Sequence, residues 1–205
     1  MTPWLIFGAG GSGVGAKTLA LAHPHPVIAV VRHPEIAAGL RKKGVQVFVG
    51  DATDASVVAS ACQAAGPDAL IISSMGGSQD YLAHRTVIDE AEKVAISRMI
   101  LVTSLGCGDS WPFLSLRAKK AFGQAVREKT LAESWLQTSQ LDYAILRPGG
   151  LLDGDATGNA VRIQGQECHG FVMRADVAAH IYHLAAAPAL NQQIYSLVDP
   201  DLKPA

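Results

Sequence analysis

The sequence has little charge, few cysteines and no long apolar run, and each shortage excludes something. Charged residues make up only 17% of the 205 positions, and 17 basic residues nearly cancel 18 acidic ones for a net charge of −1. No basic excess exists to follow a nucleic-acid backbone or an anionic membrane surface, so neither partner is expected. Cys62, Cys107 and Cys168 are scattered, odd in number and form no CxxC pair. That pattern implies reduced thiols and a cytoplasmic protein. No apolar stretch approaches the about 20 residues that span a bilayer. The first strand candidate starts almost at once, without a basic segment, apolar stretch and cleavage site before it.

Core material is plentiful: 49% of residues are hydrophobic, which excludes a disordered chain. Near-continuous apolar runs mark strands at 4–9, 26–32, 45–51, 68–74, 98–104, 142–149 and 193–199. Such runs belong to parallel strands buried on both faces. Helical patterns alternate with them at about 12–22, 34–43, 54–65, 79–95, 117–139 and 174–187. Asp54 is placed to cap the third helix and Gly44 to stop the second. The alternation predicts an α/β fold, a Rossmann-type doubly wound parallel sheet of about seven strands with helices on both faces. A single domain over 1–205 is expected, with 105–116 and 149–173 forming a small substrate-covering region. Both segments follow strand ends, where ligands bind in open α/β sheets.

Five glycines crowd positions 8–15, between the first strand and the first helix. Gly8, Gly10 and Gly13 spell G-x-G-x-x-G around Gly11 and Ser12. In a dinucleotide loop, Gly8 permits the tight turn, Gly10 the approach of a pyrophosphate, and Gly13 close packing of helix on strand. Lys17-Thr18 lacks the preceding glycine of a Walker A loop. The second strand ends on Arg32, where NAD-binding folds carry an acid for the ribose 2′-OH. A guanidinium there suits a 2′-phosphate, so NADP(H) is favoured over NAD(H). His33 assists this contact or is simply exposed. Asp51 and Ala52 follow the third strand; Asp51 faces an adenine amino group or caps the third helix. Ser73, Ser74 and Met75 end the fourth strand, along the expected line of the ribose and pyrophosphate.

Beyond the glycine loop stand "VVR", "GDATD", "VTSLG", "EKTLAE", "LDYAILRPGGL" and "RADVAAHI". Together they resemble the atypical short-chain dehydrogenases/reductases, in particular NAD(P)H-binding proteins of the biliverdin-IXβ-reductase/flavin-reductase and NmrA-like type. The glycine loop departs from that pattern, with Gly10 where a threonine is common and Val14 where a third glycine often sits. The resemblance implies that Ser104 faces the nicotinamide and the acceptor, that Lys129 orients the nicotinamide ribose, and that Pro148, Gly149 and Gly150 lie against the carboxamide. Lys119 and Lys120 are rivals for the lysine role. The family's tyrosine acid falls on Ala125. Without it, ordinary ketone reduction loses its main proton donor.

The implied activity is NADPH-dependent hydride transfer to a small conjugated or aromatic acceptor, such as a flavin, quinone or bilin-like molecule, or a biosynthetic enone or ketone. A non-catalytic NADP-binding redox sensor of the NmrA-like type is the alternative. A sugar-nucleotide epimerase or dehydratase ranks third, because it needs the tyrosine and a larger C-terminal lobe. Trp111, Phe113 and Leu114 either wall in a planar substrate or dock their loop on the core; His169 and Phe171 are weaker additions to the same mouth. No metal is expected, since Asp176, His180 and His183 read as a helix packed on the sheet. Cys107 reads as a packed thiol or a redox nucleophile. The chain is a monomer or a homodimer on this reading.

Overall fold

The computed structural model describes residues 1–203. Its frame is an alternation of strand and helix. The strands are β1 (Trp4–Phe7), β2 (Val27–Val31), β3 (Gln46–Val49), β4 (Leu70–Ser73), β5 (Arg98–Val102) and β6 (Asp142–Pro148). The helices α1 (Val14–Ala20), α2 (Pro34–Lys42), α3 (Ala55–Ala65), α4 (Asp80–Lys93) and α5 (Leu116–Gln137) connect them. A 3₁₀ turn, Gly108–Phe113, precedes α5. Three short strands follow β6: β7 (Gly150–Leu152), β8 (Val161–Ile163) and β9 (Phe171–Met173). Helix α6 (Arg174–Ala186) and β10 (Gln193–Val198) complete the fold.

The large sheet has the order β3-β2-β1-β4-β5-β6-β10-β8. Seven of its strands are parallel, as expected; β8 adds an antiparallel eighth, with Ser196 opposite Ile163. Strand β7 pairs separately with β9. The segment 149–170, which shows no regular pattern in the sequence, therefore contains two of these three-residue strands.

Period-2 alternation explains why the strands are apolar throughout. In β1, Trp4 and Ile6 pack with α1, α2 and α6, while Leu5 and Phe7 pack with α3, α4 and α5. Helix ends are set locally. Asp54 accepts a hydrogen bond from the Ser56 amide at 2.9 Å and caps α3. Ser115 accepts one from Ala118 and caps α5. Gly44 takes a positive φ of 82° after α2. No helix among the described residues is long and apolar enough to cross a membrane.

The order of the sheet reverses between β1 and β4. The chain leaves β1 and β4 toward opposite sides there, and the crevice at their carboxyl ends is the usual ligand position of a doubly wound sheet.

Candidate active site

The crevice is a cleft of about 530 Å³ lined by the glycine loop, Arg32 and His33 after β2, Asp51 to Thr53 after β3, and Ser74 to Gln79 after β4. Gly8 turns the chain with φ +87°, and a Cβ there would lie 3.0 Å from Ser74 Oγ and 3.1 Å from the Met75 amide. Gly11 also has a positive φ, of 68°. Helix α1 starts at Val14 with no acid in its first turn and no side-chain cap from Gly13. Bare backbone and an uncapped helix start without an acid in its first turn form a cradle that fits the diphosphate of an NAD(P)H.

The packing glycine is Gly15, not Gly13. A Cβ on Gly15 would fall 2.2 Å from the Gly8 carbonyl oxygen, whereas one on Gly13 would meet nothing within 4 Å. Close contact of α1 with the β1 turn thus occurs one residue beyond Val14, after the motif has ended. Ser12 and Gly13 do not line the cleft; Ser12 is exposed.

Asp51 is not the cap of α3, which is Asp54. It accepts hydrogen bonds from the Thr53 amide (2.9 Å) and hydroxyl (2.8 Å). These bonds, led by the backbone one, and the charge of Arg32 hold its carboxyl below the usual range. Ser73 is corrected in a different way. Its side chain is fully buried, 2.7 Å from His84 Nε2, and turns away from the cleft into α4. Only Ser74 and the residues after it reach the cleft wall, because successive side chains leave a strand on opposite faces.

Ser73 is one end of a buried polar chain. His84 Nδ1 lies 2.6 Å from Asp80 Oδ1, and Lys129 Nζ donates to Asp80 Oδ2 (2.6 Å) and to the Met75 carbonyl (3.0 Å). Lys129 is therefore no solvated surface lysine; it ties α5 to the loop after β4. Burial would raise the Asp80 carboxyl, but the His84 hydrogen bond and charge and the Lys129 ammonium outweigh it and hold it low. Asp80 and His84 escaped the sequence reading, although a signal exists. With Val87 and Ala91 they follow a 3.6-residue spacing and share the buried face of α4.

A second cavity, of about 350 Å³, opens over the carboxyl ends of β5 and β6. Ser104, Leu105, Phe113 and Leu114 line one side, Pro148 to Gly150 the floor, and Gln166 with Cys168, His169 and Gly170 the far side. The first half of α5 supplies Ala118, Phe122, Ala125 and Val126. Ala125 thus stands on the cavity wall. No Lys, Arg, Asp or Glu lines this cavity. A Cβ on Gly149 would lie 2.2 Å from the Gly170 carbonyl oxygen, so glycine is required for the far side to approach. Gly150 donates to that same oxygen at 3.0 Å.

Trp111 departs from expectation. It faces a third cavity on the opposite side of α5, with Lys119 Nζ 5.1 Å from its ring centre. Phe171 lies on Gly150 and does not line the second cavity. Lys119 and Lys120, the rivals of Lys129, both belong to the third cavity. Cys107 is fully buried; burial and the Glu133 carboxylate push its thiol up, which argues for packing and against a nucleophile.

The loop 105–114 is held by a network absent from the sequence reading. Arg147 donates from Nε (3.0 Å) and Nη2 (2.7 Å) to the buried Glu133, and from Nη1 to Asp109. Thr103 donates to the same Glu133 carboxylate at 2.7 Å. Strand β6, helix α5 and the 3₁₀ turn are thereby joined. Farther out, Asp176 accepts the Thr157 and Gly158 amides and pins 157–158 to α6.

Comparison with known proteins agrees with this geometry. The NAD(P)H-binding family model matches residues 8–188. The solved structure of ChuY from Escherichia coli O157:H7, described as an anaerobilin reductase, is 80% identical over the whole of both chains, with a TM-score of 0.98. An uncharacterized sugar epimerase, YhfK of Bacillus subtilis, is 30% identical over 210 residues, covering 96% of this chain and 94% of its own. Sanguinarine reductase of Eschscholzia californica is 32% identical over 105 residues, 48% of this chain and 37% of that protein. The chain belongs to the NAD(P)H-binding family and is an oxidoreductase of the atypical short-chain dehydrogenase/reductase kind, with alanine in place of the usual tyrosine.

Proposed function

We propose that the protein is an NADPH-dependent reductase of linear tetrapyrroles or closely similar extended conjugated acceptors. The observation that carries this reading is the full-length similarity, at 80% identity, to a protein described as an anaerobilin reductase. The second cavity supports it. Its walls carry no fixed charge, and Ala125 leaves open the space that a tyrosine ring would fill. A conjugated acceptor spreads the negative charge that arrives with hydride, so it depends less on the missing tyrosine than an isolated ketone does.

When bound, the reduced nicotinamide supplies the hydride. The chain does the rest. The glycine loop holds the diphosphate against bare backbone, and Arg32 receives a 2′-phosphate at the end of β2. Asp51 takes the adenine amino group. Lys129, fixed by Asp80 and the Met75 carbonyl, positions the nicotinamide ribose. Ser104 polarises the acceptor, and Pro148 to Gly150 hold the carboxamide side. Phe113 and Leu114 exclude water from the apolar wall.

The test is a titration of wild type and Arg32→Ala with NADPH and NADH, followed by assays with linear tetrapyrrole, flavin and quinone acceptors. NADPH should bind more tightly than NADH by about 10- to 100-fold, and Arg32→Ala should erase most of that preference. NADPH should be consumed with a tetrapyrrole. Tight NADPH binding without turnover on any acceptor would transfer the reading to a redox sensor.

A further inference from the structure

The second cavity poses a chemical problem. Reduction of a conjugated acceptor adds a proton as well as a hydride, and the tyrosine that provides it elsewhere is Ala125 here. Among the residues lining the cavity, only Cys168 and His169 carry a side chain that titrates. Burial pushes the Cys168 thiol up, away from proton donation. The Lys129 ammonium is engaged by Asp80 and Met75 and is not part of the cavity wall. Ser104 and Ser110 are hydroxyls, far too weakly acidic to serve unaided.

We infer that His169 is the general acid of this site, with Glu167 as the positioning residue that orients its ring. The inference rests on the reductase reading above. Glu167 Oε1 lies 2.6 Å from His169 Nε2. A carboxylate there holds a proton on Nε2, so that in the protonated ring Nδ1–H is left as the donor to the acceptor. Backbone contacts place the ring: the next residue, Gly170, is pressed on Gly149 and accepts the Gly150 amide. His169 therefore stands across the cavity from the Ser104 loop, at the edge where protons are exchanged with water. Its side chain is 61% exposed, which allows rapid reprotonation.

The step balances. The acceptor carbon gains a hydride and its electron pair from the reduced nicotinamide. The electrons displaced through the conjugated system reach a ring nitrogen of the acceptor, which takes the proton from His169 Nδ1. The N–H bonding pair stays on the imidazole. The acceptor is reduced by two electrons, the nicotinamide is oxidised by two, and neutral His169 regains its proton from water.

Beside His169, Cys168 is the one titratable side chain lining this cavity, and Glu167 meets the ring from outside the lining. The walls from α5 and the Ser104 loop offer none.

The experiment compares wild type with His169→Gln and Glu167→Gln, using biliverdin as the probe acceptor and NADPH. Single-turnover rates are followed across pH. Wild-type rates should fall with rising pH as imidazolium is lost. In His169→Gln the rate should drop about 100-fold and this decline should vanish, while NADPH affinity stays unchanged. Glu167→Gln should give a smaller loss with the same pH sense. A readout independent of turnover is the absorption of biliverdin bound without nucleotide. Its protonated band should persist to higher pH in wild type than in His169→Gln. A His169→Gln rate within about twofold of wild type, with an unchanged pH profile, overturns the assignment and points to water as the proton source. Wild type that consumes no NADPH with any linear tetrapyrrole overturns the functional reading itself, and the assignment with it.

Discussion

Lys129 Nζ sits 2.6 Å from Asp80 Oδ2, and the Asp80 side chain is 1% exposed. Through Asp80 and His84 the lysine is linked to Ser73 at the end of β4. The pair is thus a bond between the two helices, α4 and α5, that flank the candidate site.

Asp80→Asn should destabilise the fold by about 3 kcal/mol, because it leaves Lys129 and His84 without their buried counter-charge. The Asp80 carboxyl is depressed in the folded protein. Its stabilisation is present above the unfolded carboxyl's value and is lost as pH falls through the folded one. The gap between wild type and variant should therefore be full at neutral pH and close in acid. Denaturant melts from neutral pH to about pH 3 would show it.

Gly15 and Gly13 should behave oppositely. Gly15→Ala drives a methyl into the Gly8 carbonyl and should cost about 3 kcal/mol or more, with loss of nucleotide binding. Gly13→Ala meets nothing within 4 Å, at a φ of −72°, and should change stability by under about 1 kcal/mol. Thermal melts and nucleotide titrations of both variants decide between them.

Glu133→Ala strands the Arg147 guanidinium in a buried site, and should cost about 3–5 kcal/mol. Replacing both, as Glu133→Leu with Arg147→Met, should recover part of that loss, since no buried charge is then left unpaired and Asp109 is exposed to water. A double-mutant cycle by chemical denaturation measures the coupling.

Ala125→Tyr places a ring in the second cavity. If that cavity holds the acceptor, the KM for a linear tetrapyrrole should rise about tenfold or more, while NADPH affinity is unaffected. An unchanged KM would place the acceptor elsewhere.

Much of the architecture is decided locally. Runs such as "WLIF" and "VIAVV" are apolar at every position because both faces of the sheet are covered, so they are legible as parallel strands without any partner in view. Asp54, Ser115 and Gly44 end their helices through contacts within a few residues. The positions of the glycine loop, Arg32 and Ser104 follow from strand ends alone. The three-residue strands β7, β8 and β9 are too short to show any period, and their pairing comes from partners 21 to 37 residues away.

The sequence by itself determined the doubly wound sheet and the crevice at its carboxyl edge. Periodicity and motif spacing carry that information along the chain. Only the tertiary structure decided which neighbour does what: that Gly15 and not Gly13 packs on β1, that Ser73 turns inward while Ser74 faces the cleft, that Trp111 lies on the outer side of α5, and that Arg147 finds Glu133. Each of these depends on the rotation of a strand or helix against elements distant in sequence. Packing in three dimensions sets that rotation, and no local pattern encodes it.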